Sequence, residues 1–316
     1  MKKENFFKII ILFLDFILFV GLILFAFFYI TESQKKKQEN EIENSFIGTN
    51  TDEENYIYDE VLKTNILKPN IEVTSARKIN EEIVYDVKYK TDSNSFRFTP
   101  GNVNNTTYIF LGCSYVFGEG VNDNETLPYY FSKKLNFDYN VINAGFRATG
   151  TDFAYTLLKS NKFNDFMNKK IDYIIYGFFD DHIYRNLSGI FQIKDNKLIE
   201  TEQKRIARMV EFSPTLKKYY KNDAIKLTVK LIQEMKILAQ QKYKSRFLVF
   251  LYDPQQEITQ KIKQYLDELD IENLCSEIDY SSKPEGYYAI KNECHPTSNA
   301  NMENADTIYR YIFGND

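Results

Sequence analysis

The sequence predicts an α/β fold: a three-layer α/β/α sandwich with a mostly parallel central sheet, preceded by one transmembrane helix. Three observations predict it. From Thr107 onward, apolar runs of strand length alternate with longer amphipathic runs, the pattern of a parallel sheet covered by helices on both faces. The first of those apolar runs stops at a turn, Gly112-Cys113-Ser114, followed by a second glycine turn at Gly118-Glu119-Gly120. At the other end of the chain, Phe6 to Ile30 is almost wholly apolar.

Taken in order, residues 1–30 read as an uncleaved membrane anchor. Phe6 to Ile30 as a helix would span roughly 37 Å, enough for a hydrocarbon layer of ~30 Å with some tilt. A cleaved signal peptide has a shorter apolar region followed by small residues, whereas Ala26-Phe27-Phe28-Tyr29 is bulky. Lys2, Lys3 and Lys8 on one side are matched by Lys35, Lys36 and Lys37 on the other, so charge leaves the orientation open. Asp15 inside the span would cost on the order of 2.5–3.5 kcal/mol at the bilayer centre. It invites a partner helix or polar contact, unless its apolar neighbours absorb the cost. Residues 31–56, rich in Lys, Glu, Asn, Gln and Ser, read as a solvated tether reaching roughly 25–30 Å from the membrane. Residues 57–103 read as a small β-rich preface, with alternation such as Ile83-Val84-Tyr85-Asp86-Val87-Lys88-Tyr89 that suits half-exposed strands.

Residues 104–316 form the main domain. Its strands are expected at Tyr108 to Leu111, Val141 to Ala144, Tyr173 to Phe178 and Phe247 to Tyr252, with a weaker one near Ile271 to Cys275. Helical spacing falls at Leu127 to Leu135, Thr151 to Leu158, Ile225 to Gln240, Ile258 to Leu269 and Asn301 to Phe313, where apolar residues recur three and four apart. The first strand is expected to be central. Leu187 to Tyr220 fits the alternation poorly and reads as an insertion that could form a lid or wall.

Composition excludes several function classes. A formal net charge of -4 over 316 residues, with no basic stripe interleaved with aromatics, argues against a nucleic-acid groove, which needs clustered Lys and Arg to neutralise phosphates. Three cysteines are too few for a disulfide scaffold and lack the spacing of a metal site; they read as buried or inert thiols.

The chemistry-bearing residues are few. Ser114 follows a strand and precedes glycines that permit unusual backbone angles, so its hydroxyl would project from the sheet edge with amides nearby. One of only two histidines, His295, stands in Glu293-Cys294-His295-Pro296 before the last helix. A serine after the first strand and a histidine before the last helix can meet at the carboxyl edge of a parallel sheet. There His295 would take and return a proton near neutrality, and a carboxylate would hold its tautomer; Glu293 is nearest, Asp279 and Glu285 weaker. A nucleophile elbow needs glycine two residues after the serine, and Val116 stands there. A P-loop needs a Gly-Lys pair that the loop lacks. Tyr115, Phe117 and Phe146 read as packing more than as carbohydrate platforms.

At these residues the chain resembles the SGNH, or GDSL-type, serine hydrolases, especially a bacterial branch with Gly-Cys-Ser in block I. The resemblance covers about Asp86 to Phe313 and implies a flavodoxin-like α/β/α domain that needs no cofactor or metal. Block I matches Gly112-Cys113-Ser114, making Ser114 the nucleophile. Block II matches Val141-Ile142-Asn143-Ala144-Gly145, so the resemblance implies an oxyanion hole built from the amides of Ser114 and Gly145. Block V matches Glu293-Cys294-His295-Pro296, making His295 the base and Glu293 its orienter. Block III, Gly-x-Asn-Asp in the family, is Phe178-Phe179-Asp180-Asp181-His182 here. Asp180 thus stands where the third oxyanion donor should be, and an ionised aspartate cannot donate. Either Asp180 is protonated, or another group completes the hole, or the two amides suffice. His182 and Arg185, just beyond, are candidates for recognising an acyl or sugar oxygen; the alternative is a structural Asp181–Arg185 ion pair with His182 as a wall residue.

The expectation is therefore a membrane-anchored serine esterase acting on an O-acetyl or other acyl ester of cell-envelope carbohydrate, with its domain outside the cytoplasm. Two alternatives stand beside it: an O-acyltransferase using the same acyl-enzyme, and a glycan-binding or assembly module on a degenerate fold, suggested by Asp180 and Asp15.

Overall fold

The computed structural model describes residues 20–21, 43–47, 52–79, 82–188, 190–201, 210 and 213–314. The expected anchor apart from Val20 and Gly21, with Asp15, and most of the tether lie outside the described residues. Among those described, no helix is long and apolar enough to cross a membrane. The chain divides into two compact units, Met1–Asn44 with Arg77–Ile83, and Ser45–Ala76 with Val84–Asp316. The second holds the central sheet and all the candidate catalytic residues.

Five strands precede the sheet: β1 (Glu43–Ile47), β2 (Tyr56–Asp59), β3 (Thr64–Leu67), β4 (Glu72–Ile79) and β5 (Glu82–Lys90). The alternation read along β5 is the observed one, with Tyr85, Val87 and Tyr89 buried between exposed Asp86 and Lys88. Strands β2 and β3 form an antiparallel hairpin. Its turn is held by Asp59, whose Oδ1 accepts from the amides of Val61 and Leu62 at 3.0 and 2.9 Å, the usual local role of aspartate in turns.

The central sheet comprises β6 (Thr107–Gly112), β7 (Asn140–Gly145), β8 (Ile171–Phe178), β11 (Arg246–Leu251) and β12 (Asn273–Cys275). Its order is β12-β11-β8-β6-β7 and every pairing is parallel. Counted from β7, this is the 2-1-3-4-5 arrangement, whose order reverses between β6 and β8, where ligands bind outside the carboxyl ends. The first strand is thus interior but not central; β8 takes the middle, because three later strands add on one side of β6 and only β7 on the other.

Strand residues alternate between two cores. Ile109, Leu111, Ile174 and Tyr176 point to one face, and Tyr108, Phe110, Tyr173 and Ile175 to the other. Each face is covered by helices, which is why these strands read as unbroken apolar runs. The first face meets α3 (Thr151–Lys159), α5 (Pro214–Gln241) and α6 (Glu257–Glu268) through Leu157, Ile232 and Ile262. The second meets α2 (Leu127–Lys134) and α7 (Ser298–Phe313) through Phe131 and Ile308. Phe131 is fully buried, 5.4 Å from the Tyr108 ring and 5.2 Å from that of Phe110; truncating such a side chain to alanine costs roughly 3–5 kcal/mol. Two short helices, α1 (Ser114–Phe117) and α4 (His182–Arg185), follow β6 and β8.

The segment expected to be an insertion is partly regular. Phe191–Lys194 (β9) and Lys197–Glu200 (β10) form a hairpin whose two turn residues, Asp195 and Asn196, have φ of 49° and 61°, the backbone a two-residue hairpin turn demands. Helix α5 starts at Pro214, with Ser213 Oγ accepting from the Leu216 amide at 3.4 Å, well before the expected Ile225. Serine at the cap and proline in the first turn are standard start signals.

Candidate active site

The serine is set by the turn that ends β6. A side chain on Gly112 would lie 2.6 Å from Val116 Cγ2 and 3.1 Å from the Gly177 carbonyl, so only glycine lets the chain fold back into α1 there. Ser114 opens that single-turn helix and is 5% exposed. The turn closes as Gly118 and Glu119 donate their amides to the Ser114 carbonyl at 2.9 and 3.0 Å. Gly118 and Gly120 then take φ of 83° and 79°, the left-handed region where glycine has no steric cost.

The histidine arrives on the loop before α7. Ile290 donates to the His295 carbonyl at 2.9 Å, Thr297 donates to the Tyr288 carbonyl at 2.9 Å, and Thr297 Oγ1 caps α7. The Tyr115 hydroxyl donates to the Cys294 carbonyl at 2.8 Å, tying this loop to the residue after the serine. As a result His295 Nε2 lies 2.7 Å from Ser114 Oγ. On the other side of the ring, His295 Nδ1 lies 2.5 Å from Glu293 Oε1, while Glu293 Oε2 accepts from the His295 amide at 2.8 Å. The acceptor-only carboxylate keeps the proton on Nδ1 and leaves the Nε2 lone pair for the serine hydroxyl. The Glu293 side chain is 3% exposed. Of the weaker orienters, Asp279 accepts from the Ser281 amide in a local turn and Glu285 is exposed.

The remaining expected site residues separate. Gly145 lines the same cavity as Ser114 and abuts the end of α1: a Cβ there would strike the Phe117 backbone. Its amide donates to Asn143 Oδ1 at 3.1 Å. Asp180 does not line the cavity at Ser114. Burial, then the neighbouring charges of Asp181 and Asp253, push its carboxyl above the ordinary value. His182 is 0% exposed and so offers no surface to a substrate. Its Nδ1 lies 2.7 Å from the Tyr176 hydroxyl, and burial, with Arg185 adding to it, pulls its pKa well below the ordinary value. His182 does not line the cavity, and its buried Nε2 has no hydrogen-bond partner among the described residues. Arg185 does reach the cavity, with Nη1 donating to the Thr149 carbonyl at 3.3 Å and Nη2 3.9 Å from Asp181. All three cysteines are free: Cys113 is buried, Cys275 half-buried and Cys294 exposed.

The cavity has a volume of about 430 Å³, within the range of small-ligand sites. Ser114, His295, Gly145 and Arg185 line it, joined by Tyr56 and Asn65 from the β2–β3 hairpin. Sequence reasoning missed its charged pair, Glu119 and Arg147. Arg147 Nε donates to Glu119 Oε2 at 2.9 Å, Nη2 to Oε1 at 2.5 Å, and Nη1 to the Tyr56 hydroxyl at 3.2 Å, a bidentate charge-assisted contact. Burial alone would raise the Glu119 carboxyl, but Arg147 outweighs it and holds it below its usual value. A carboxylate held between two turn glycines was the available signal for Glu119.

No protein-family model and no curated protein matches the chain. Among solved structures it is similar to a lipase from a goat rumen metagenome, at 14% identity and TM-score 0.43 over 66% of this chain and 98% of that one. It is also similar to a member of the lipolytic G-D-S-L family from Veillonella parvula DSM 2008, at 12% identity and TM-score 0.40 over 66% and 97%. A carbohydrate acetylesterase family member from Sinorhizobium meliloti stands at 13% identity and TM-score 0.38 over 66% and 97%. The chemistry is carried by the site geometry, not by these likenesses.

Proposed function

We propose that the chain is a serine ester hydrolase of the SGNH/GDSL type. One observation carries this: Ser114 Oγ, the His295 ring and the Glu293 carboxylate form an unbroken chain at 2.7 and 2.5 Å. Ser114 attacks an ester carbonyl while its proton passes to His295 Nε2, and Glu293 steadies the imidazolium through Nδ1–H. The alcohol leaves with that proton. Water, deprotonated by the same nitrogen, then splits the acyl-enzyme and restores the serine. The tetrahedral oxyanion meets the Ser114 amide, one of the orphan donors at the start of α1, and the Gly145 amide, which exchanges its neutral Asn143 acceptor for a charged one. Asp180 has no part in this hole.

The reading extends to an O-acetyl or other acyl ester of cell-envelope carbohydrate, cleaved by a domain tethered outside the cytoplasm. The polar part of the cavity supports it. A long acyl chain there would strip water from Glu119, Arg147 and Arg185 without replacing their hydrogen bonds, whereas sugar hydroxyls replace them.

The test is labelling of the purified full-length chain by a fluorophosphonate probe. The labelled peptide should contain Ser114, and Ser114→Ala should abolish both labelling and ester cleavage; cleavage retained in that variant rules the mechanism out. In a deletion strain, extra acetyl groups on envelope glycan mark an esterase, and missing ones mark a transferase.

A further inference from the structure

Arg97 is among the largest fully buried side chains of the described residues, and all its donors are engaged. Nε donates to Asp123 Oδ1 at 2.8 Å, Nη1 to the carbonyls of Phe117 and Gly118 at 3.0 and 2.6 Å, and Nη2 to those of Val121 and Lys88 at 2.7 and 3.3 Å. The guanidinium also lies over the Tyr89 and Phe117 rings, 4.2 and 4.8 Å from their centroids. Three of the four carbonyls belong to the last residue of the serine helix, Phe117, and to the segment that runs on from it, Gly118 and Val121.

That location has a mechanical consequence. Helix α1 is one turn long, and a single turn does not hold itself, because closing it fixes several dihedrals for one hydrogen bond. Its final carbonyl and those just beyond it are orphan acceptors, and Arg97 binds them through a rigid planar fork. The same contact reaches the second amide of the oxyanion hole. Asn143 Nδ2 donates to the Phe117 carbonyl at 3.4 Å, its Oδ1 accepts from Gly145, and its own carbonyl accepts from the Arg97 amide at 3.1 Å.

We infer that Arg97 is a positioning residue for the reaction proposed above, clamping the end of the Ser114 helix so that the serine hydroxyl and the Ser114 and Gly145 amides keep one geometry. It touches no substrate. Lysine cannot replace it, since one ammonium cannot span carbonyls that a fork holds in a plane. Asp123 has a different part: it balances the buried charge from outside the clamp, with its side chain 25% exposed.

The experiment compares the full-length chain with Arg97→Lys and Asp123→Asn, measuring kcat and KM on p-nitrophenyl acetate, the fluorophosphonate labelling rate, and Tm. Arg97→Lys should lower kcat and the labelling rate by about thirty-fold or more, as a displacement of ~1 Å costs on the order of a hundred-fold, with KM within threefold. Asp123→Asn should lower Tm while kcat stays within threefold. Arg97→Lys with kcat within threefold of the parent overturns the inference. So does a kcat loss that follows Tm in both variants, which marks Arg97 as stabilising only. If Arg97→Lys does not fold, Asn143→Ala decides, because it cuts the link from the Phe117 carbonyl to the Gly145 amide: a tenfold or greater loss of kcat with KM within threefold supports the clamp, and kcat within threefold of the parent overturns it. A parent chain that neither cleaves ester nor labels removes the hydrolase reading itself, and the inference with it.

Discussion

Glu293→Gln isolates the orienting carboxylate. Two N–H groups of one residue converge on it, the His295 ring Nδ1–H at 2.5 Å and the His295 amide at 2.8 Å. Glutamine has the same shape but a single acceptor oxygen. If that oxygen faces the ring, the NH2 group meets the amide donor, leaving a buried donor unmet at roughly 1–3 kcal/mol. If it faces the amide, the NH2 group donates to Nδ1, the proton moves to Nε2, and Ser114 loses its base. An equivalent isosteric swap in a serine-protease triad costs about 10⁴ in kcat. Here a loss of about 10³–10⁴ is expected, or about 4–5.5 kcal/mol at 1.36 kcal/mol per tenfold. Glu293→Asp keeps the charge but withdraws it by ~1 Å, for a loss on the order of 10². The assay is steady-state hydrolysis of p-nitrophenyl acetate by the full-length chain, with Tm measured alongside. Glu293→Gln within tenfold of the parent, with the fold intact, would refute the assigned tautomer and role.

Three further outcomes follow from the same geometry. His182 is neutral in the fold because its pKa lies well below 6.5; the unfolded chain therefore binds the extra proton, and stability is full above pH 6.5 and declines as pH falls below it. Urea midpoints at pH 7.5 and 5.5 should show a smaller drop for His182→Gln than for the parent, and equal drops would sink the argument. Arg147→Met strands the buried Glu119 carboxylate and should cost roughly 3–5 kcal/mol in denaturant unfolding; a cost below about 1 kcal/mol would mean the pair is solvated. Asp180→Asn restores the family's donor type yet should leave kcat within threefold, because Asp180 does not line the cavity; a gain of tenfold or more would place it at the oxyanion.

Much of this was legible along the chain because it is local. Strands β6, β7 and β8 are covered on both faces, so burial writes itself as continuous apolar runs, and Glu293 and His295 stand two residues apart. What escaped is not local. Arg147 and Glu119 are 28 residues apart and Arg97 and Asp123 are 26 apart, and nothing in either neighbourhood announces the partner. The start of α5 was missed because residues such as Lys217, Lys218 and Tyr219 are not buried, so its first turns carry no apolar periodicity. The β9–β10 hairpin was missed because its turn, Asp195-Asn196, lacks the glycine of the strongest two-residue hairpin signals and sits in a polar stretch. His182 was left between two readings for another reason: a histidine after a strand looks the same in sequence whether it faces a cleft or, as here, packs against Tyr176 and Phe178.

The position of Asp180 shows why motif alignment and geometry part company. Gly112 and Gly145 are register partners at the ends of β6 and β7, so the Ser114 and Gly145 amides start from adjacent strand ends. Phe178, at the end of β8, is instead paired with Leu251 of β11, and Asp180 beyond it feels Asp253 beyond β11. The cavity is lined by residues following β6 and β7 and by the β2–β3 hairpin, and from the described residues between β8 and β11 only Arg185 lines it. An oxyanion hole built this way rests on two backbone amides. Since losing one such donor costs about 10²–10³ in rate, a two-amide hole tolerates little displacement of either. In the clamp inferred above, Arg97 and Asn143 meet on one carbonyl, that of Phe117, and Asn143 carries the link to the Gly145 amide; this gives a buried cation that is costly to desolvate a part beyond stability.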